Sequence, residues 1–258
     1  MSSRFVAAAA GLSAIALLAG CDHKSEFSTG PVRTETRNVG EFDSIEVNGA
    51  TRLEITVGAP ASVVVEGRER FLERLDTEVH GDTLRIKTRK KDWVSIGTSP
   101  RLIVRVTLPT LKELEVEGGN DIELTGFNGG TTKIRLEGAA NLKGSGRLDE
   151  LSIFMAGAGH ADLDNIIAGT ANVTVAGVGS VTVHPVDTLD ARMNGVGAIF
   201  YSGSPRNVNT RVNGLGTIGQ RDAKRAAPDH GPQAPVDPDS LQPEYDDRAA
   251  DEGKTEVI

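Results

Sequence analysis

The chain of 258 residues contains one cysteine, Cys21, so no intramolecular disulfide can form. Aromatic residues make up 4% of it, with a single tryptophan, Trp93, and Phe154 and Phe200 alone build no large exposed apolar patch. There is no serine-centred elbow, zinc-type histidine pair, nucleotide-binding glycine loop or cysteine cluster. The sequence therefore offers no motif for nucleophilic catalysis, zinc chemistry or nucleotide binding, and implies no cofactor. Positive charge is not in excess: the net charge is −8, which argues against a nucleic-acid partner. The one sustained apolar run, Phe5 to Leu18, is too short to span a bilayer comfortably.

That run follows Arg4 and gives way to small residues, the pattern of a secretory signal. It ends in Leu18-Ala19-Gly20-Cys21, which resembles the lipobox of bacterial lipoproteins. The resemblance implies cleavage before Cys21, acylation of that residue, and a membrane partner reached through the lipid anchor, several acyl chains together giving firm attachment. Asp22 resembles the signal that retains lipoproteins in the inner membrane of enterobacteria, which favours the inner over the outer membrane, on the periplasmic face of the envelope.

What the chain has in abundance is glycine at a fixed interval. Six short phrases recur: Gly118-Gly119-Asn120, Gly138-Ala139-Ala140, Gly157-Ala158-Gly159, Gly177-Val178-Gly179, Gly195-Val196-Gly197 and Gly214-Leu215-Gly216. Their first residues lie 20, 19, 20, 18 and 19 positions apart, the spacing of a solenoid whose repeats bury their apolar faces against their neighbours. Two places before each hinge stand Val116, Leu136, Met155, Val175, Met193 and Val212, and four places after it Ile122, Leu142, Ala161, Val181, Ile199 and Ile218. Apolar residues at every second position predict half-buried strands with one face in a common core. The hinge glycines predict bends needing a positive φ or a close backbone approach. Asn120 fits such a bend as the residue most tolerant of left-handed backbone, whereas Ala140 predicts a different bend or a slipped register.

The same phrase appears once upstream, around Gly49. Between it and the main array the pattern is less regular. Strands are predicted at Val63–Val65, Thr77–Val79, Thr83–Lys87 and Leu102–Leu108, with a hairpin at His80-Gly81-Asp82 and one or two helical turns within Arg68–Leu75. These strands are expected to extend and cap the start of the solenoid, whose first rung would otherwise present unpaired edge groups. The reading is an all-β chain: a parallel β-helix-like solenoid of about 20-residue rungs behind an irregular N-terminal β region. Its expected divisions are a signal peptide (1–20), an anchor and spacer (21–39), the solenoid domain (40–220) and a tail (221–258). The tail has five Lys or Arg against ten Asp or Glu, a net of −5, and several prolines, so it is expected to be disordered.

Three sets of residues could carry function. Arg135, Phe154, Arg192 and Arg211 occupy equivalent outward places on successive or nearby rungs and are the candidate binding surface, for a protein or a glycan; the bland alternative is a solvated face. His160, Asp162 and Asp164 alternate along one strand, a trio that suits a divalent cation or acid-base work, or simply a solvated edge. Arg85, Lys87, Arg89, Lys90 and Lys91 run into Trp93, a pattern for an anionic glycan or lipid headgroup, or for a lysine-rich hairpin that protects an exposed edge. None of these sets assembles a catalytic centre, so the expectation is a binding protein and not an enzyme, with a carbohydrate-active enzyme or a structural spacer as alternatives.

Phe42-Asp43-Ser44-Ile45-Glu46-Val47-Asn48-Gly49, Val104-Arg105-Val106-Thr107-Leu108-Pro109 with Leu111 and Leu114, and the repeated hinge phrases together resemble the bacterial family called the putative auto-transporter adhesin head, or GIN, domain. The resemblance covers about residues 32 to 220. The family's common hinge reads Gly-Ser-Gly-Asp; this chain keeps the spacing but replaces the aspartate in most rungs. The resemblance implies a β-helical fold similar to pectin-lyase-like proteins, no catalytic residues to carry over, and a role in adhesion or envelope interactions.

Overall fold

The computed structural model describes residues 31–58, 60–89 and 102–221. Cys21 with the signal segment, Lys90, Lys91, Trp93 and the tail beyond Arg221 lie outside the described residues. The fold is a β-solenoid of about five turns. Its strands are β1 (Val32–Arg37), β2 (Ser44–Gly49), β3 (Arg52–Val57), β4 (Ser62–Arg68), β5 (Leu75–His80), β6 (Thr83–Thr88), β7 (Ile103–Leu108), β8 (Glu113–Asn128), β9 (Thr131–Met155), β10 (Ala158–Val175), β11 (Val178–Met193), β12 (Val196–Tyr201), β13 (Asn207–Val212) and β14 (Leu215–Gln220).

Each rung contributes one segment before its hinge and one after it, and like segments stack in parallel. Before the hinge, Ile45 pairs with Leu114 and Leu114 with Ile134; after it, Leu53 pairs with Ile122 and Ile122 with Leu142. The alternation read from the sequence becomes a set of stacked interior columns. Val116, Leu136, Met155, Val175 and Met193 are buried, as are Ile122, Leu142, Ala161, Val181 and Ile199. A third, shorter side carries Leu148 over Ala168, and there the register shifts, between Leu124 and Phe127 and again between Asp162 and Asn165. Burial of these columns against the neighbouring rungs is the main stabilising term, each fully buried Leu, Ile or Val contributing about 1.5–3 kcal/mol.

The N-terminal region extends both sheets out of sequence order. β6 lies parallel beneath β2, and β7 parallel beneath β3, so together they supply a rung below the first one. Beyond them the pairing turns antiparallel: β5 on β6, β4 on β7, β1 on β4. This is the expected cap. The hairpin turns at Gly81, φ +66; the helical expectation reduces to a single turn, α1 (Glu69–Leu72); and β7 stops at Leu108, one residue before Pro109, which has no amide to donate. Arg105 ties three strands together on the outer face, donating to Glu54 of β3 at 2.9 Å and to Glu66 of β4 at 2.7 Å.

The hinges fall into two kinds. At Gly118 and Gly138 the first glycine takes φ +107 and +102, and β8 and β9 run through the bend without interruption. From Gly157 onward the strands break at the hinge. The first glycine then serves close approach: a Cβ on Gly177 would lie 1.8 Å from the Gly157 carbonyl oxygen, and one on Gly195 1.9 Å from that of Gly177. Ala140 thus belongs to a rung that bends differently. Its register does not slip, since Asn120, Ala140 and Gly159 pair in one unbroken column.

For Asn120 the structure supplies a reason other than backbone tolerance. The residue is buried, and its Oδ1 accepts from Thr51 N (3.1 Å) and Thr51 Oγ1 (2.9 Å) while its Nδ2 donates to the Gly49 carbonyl at 3.2 Å. Its side chain links one hinge to the next and satisfies groups that the bend removes from the ladder.

Candidate binding face

Because the stacked strands are in register at the hinges, residues three places before each hinge form one outward column. Glu46 pairs with Glu115, Glu115 with Arg135, Phe154 with Thr174, Thr174 with Arg192, and Arg192 with Arg211. The four candidate residues therefore share a column, with Thr174 between Phe154 and Arg192. At about 4.8 Å per rung, Arg135 and Arg211 stand about 19 Å apart.

The column is not a plain row of free charge. The Arg135 guanidinium lies 4.7 Å from the centre of the Phe154 ring, a cation–π contact, and its Nε is 2.7 Å from Glu137 Oε1. Arg192 is held by Asp190 at 3.0 Å. Arg211 has no carboxylate partner among the described residues. Toward the N-terminal end the surface becomes acidic, and an open depression is lined by Glu46, Glu115, Glu117 and Glu137 around Arg135.

Four residues further along the later rungs, at the hinge itself, stands a feature that sequence reasoning missed. The middle residues of the later hinge phrases point outward and stack: Val178 on Val196, Val196 on Leu215. They are 59%, 47% and 78% exposed. A ridge of three stacked aliphatic side chains in solvent is an unfavourable surface for a protein that meets only water. The signal was legible as the growth in size of the middle hinge residue along the chain, from Gly119 through Ala139 and Ala158 to Val178, Val196 and Leu215.

The trio His160, Asp162 and Asp164 does not converge. His160 Nδ1 shares a 2.6 Å hydrogen bond with Ser180 Oγ on the next rung. Asp162 accepts from the Asp164 amide at 3.4 Å. The register shift after Asp162 turns Asp164 toward a different corner, where Ser202 donates to its carboxylate and His184 Nδ1 donates to its carbonyl oxygen at 3.2 Å. Asp164, His184 and Ser202 stand one rung apart, a grouping visible in the sequence only through its spacing of 20 and 18. The serine bonds the carboxylate directly and the imidazole is not interposed, so the arrangement lacks the relay a serine nucleophile needs. Among the described residues no group of three His, Cys, Asp or Glu could hold a metal ion.

The described part of the basic cluster faces carboxylates. Arg85 Nε lies 2.9 Å from Glu46 Oε2, off hydrogen-bond alignment, and Lys87 Nζ lies 3.5 Å from Glu46 Oε1. Arg89 donates twice to Asp76, at 2.9 and 3.2 Å, and these bonds hold the Asp76 carboxyl below its ordinary range. Their charge is spent within the sheet and on its rim.

Comparison with known proteins places this geometry. A putative adhesin from Bacteroides fragilis NCTC 9343 aligns at 20% identity over 74% of this chain and 97% of its own, with a TM-score of 0.56, a likeness that shows the fold. A putative lipid binding protein from Parabacteroides distasonis ATCC 8503 aligns at 22% identity over 74% of this chain and 97% of its own, with a TM-score of 0.42. No curated protein matches the chain. The family model described as putative auto-transporter adhesin, head GIN domain, matches residues 41–205, the capped start of the solenoid and all its hinges but the last, and the chain belongs to that family.

Proposed function

We propose that this is a lipid-anchored envelope protein of adhesin-like type, held at Cys21 on the periplasmic face of the inner membrane, that binds a protein or glycan through one face of its solenoid. The observation that carries the reading is the exposed, stacked ridge of Val178, Val196 and Leu215, on a solenoid that also stacks Arg135, Phe154, Arg192 and Arg211 in one outward column. Exposed apolar side chains, arginine and an aromatic ring are the residue types that binding surfaces use, where a few such anchors dominate the affinity. The scaffold suits the task, because stacked rungs hold the two columns at a fixed separation with little ordering to be lost on association. The family's adhesin description is consistent with such a role.

Capture of partners from crosslinked envelopes tests the assignment. Arg192→Glu with Arg211→Glu, and separately Val196→Asp, should abolish capture while leaving the melting temperature within about 2 °C, as exposed substitutions do. Capture that survives both variants removes this face from consideration. The carbohydrate-active reading has its own arm: a glycan-cleaving activity lost in Asp162→Asn or Asp164→Asn would replace binding with catalysis.

A further inference from the structure

The outward column that holds Arg135, Phe154, Arg192 and Arg211 is polarised along the solenoid axis. Counted from Phe154, Glu115 stands two rungs toward the N-terminal end and Arg192 two rungs the other way; Glu46 stands three rungs one way and Arg211 three the other. Opposite charges therefore lie at matching distances on either side of one ring, about 10 and about 14 Å from it at about 4.8 Å per rung. Glu113 and Glu117, on the rung of Glu115, extend the acidic end. At the other end, from Ala191 to Arg221, there are four arginines and no Asp or Glu.

Within two residues of the column, the rungs of Phe154 and Thr174 carry no charge: Ser152, Ala156, Asn172 and Ala176 flank them, all half-buried or exposed. An uncharged centre with an aromatic ring, between charged ends, is the pattern of a protein interface, whose core is depleted of charge and whose rim is polar. Part of the charge is also unspent. Glu115 and Arg211 make no ion pair among the described residues, and Arg192 gives one Nη to Asp190 and keeps its other donors. Glu46 is already engaged by Arg85 and Lys87, pairs that are exposed and so weakly held.

We infer that the partner of this face is a second copy of the chain, its solenoid running the opposite way about a two-fold axis through Phe154. Glu115 then meets the partner's Arg192 and Glu46 the partner's Arg211, each pair occurring twice, with the two Phe154 side chains at the centre. The inference rests on the reading that this column binds, and names what it binds. Two-fold symmetry requires a self-complementary patch, and charge selects the direction, because solenoids running the same way would set Arg on Arg and Glu on Glu. Within these columns the one unfavourable meeting is Asp190 with the partner's Glu113, and the Arg192 bond to Asp190 offsets it. Seven rungs by about five residues is roughly 29 by 17 Å, or about 500 Å² per copy, short of the about 800 Å² of a standard interface. Association should therefore be weak, with a Kd in the micromolar range or above, and salt-sensitive.

Sedimentation equilibrium of the full chain in density-matched detergent, from about 5 to about 500 µM, tests this. At about 50 mM salt the mass should rise toward that of two chains, and about 0.5 M salt should weaken the dimer about tenfold or more. Glu115→Arg and Arg192→Glu should each weaken self-association about tenfold or more, since each sets like charges together twice. Mixed, the two variants should associate with each other about as well as wild type does, because one supplies both arginines and the other both carboxylates. A chain that stays monomeric throughout overturns the proposal, and so do variants that each dimerise like wild type or that fail both alone and mixed. Envelope capture separates this from the reading beneath it. A monomeric chain that loses capture of another molecule in Arg192→Glu with Arg211→Glu keeps the binding face and refutes only the second copy, whereas capture that survives those substitutions refutes the face itself.

Discussion

Replacing Gly177 by alanine, with Gly119 by alanine as its partner experiment, separates the two explanations of a hinge glycine. Neither residue has a positive φ, so backbone strain predicts little for either. They differ in what surrounds them. A Cβ on Gly177 would sit 1.8 Å from the Gly157 carbonyl oxygen and 2.7 Å from that of Ala156, whereas one on Gly119 meets nothing within 4 Å. The rung below must therefore retreat by well over an ångström at Gly177. That movement pulls on the hydrogen bonds from Val178 N to Gly157 O (2.9 Å) and from Gly177 N to Met155 O (3.2 Å). Forced overpacking costs about 1–3 kcal/mol, and each weakened bond adds about 0.5–1.5 kcal/mol, so Gly177→Ala should destabilise by about 3 kcal/mol and lower the melting point by about 6–12 °C. Gly119→Ala should be neutral or stabilise by about 0.5 kcal/mol, because alanine restricts the unfolded chain. Thermal unfolding followed by far-ultraviolet circular dichroism reads both. Equal shifts in the two variants would refute the close-approach argument, and a larger loss at Gly119 would reverse it.

Asn120→Ala should cost about 1–3 kcal/mol, since it leaves the Thr51 amide without its acceptor in a buried hinge; an unchanged denaturation midpoint would show that the side chain is not the link between hinges. The hydrogen bond from Lys112 holds the Asp43 carboxyl below its ordinary value of 3.8. The pair's contribution is thus present above that value and is lost as pH falls through the lower folded one. The stability gap between wild type and Asp43→Asn should accordingly shrink as the solution is acidified below about pH 4, and a gap that widened instead would contradict the assigned pairing. Cys21→Ser should release the protein from membranes or leave it unprocessed, and failure of the wild type to incorporate a palmitate analogue would end the lipoprotein reading.

Much of the fold was legible in the residues because a solenoid repeats one local rule. Leu114, Val116, Ile122 and Leu124 alternate along a single rung, and since every rung faces a near-copy of itself, the side-chain period of two also determined which residues stack. The outward column of Arg135, Phe154, Arg192 and Arg211 followed from that spacing without knowledge of the shape. Spacing carries nothing that depends on contacts between unlike segments. The pairing of β6 and β7 beneath β2 and β3 reverses the order of the chain, and no local period encodes it. Asn120 could be recognised as a hinge residue, but its bonds to Thr51 and Gly49 join positions about seventy residues apart. Asp164 left the face of His160 because the register shifts at a corner, where the period changes by a residue or two and equivalent positions part. The sequence by itself determined the rung, its buried face and its hinge, since these are set by neighbours along the strand. Which glycines bend and which merely make room, which end is closed, and how far Val208, Val212 and Leu215 stand in solvent were decided by the tertiary structure, because each depends on what the next layer of chain supplies or fails to supply.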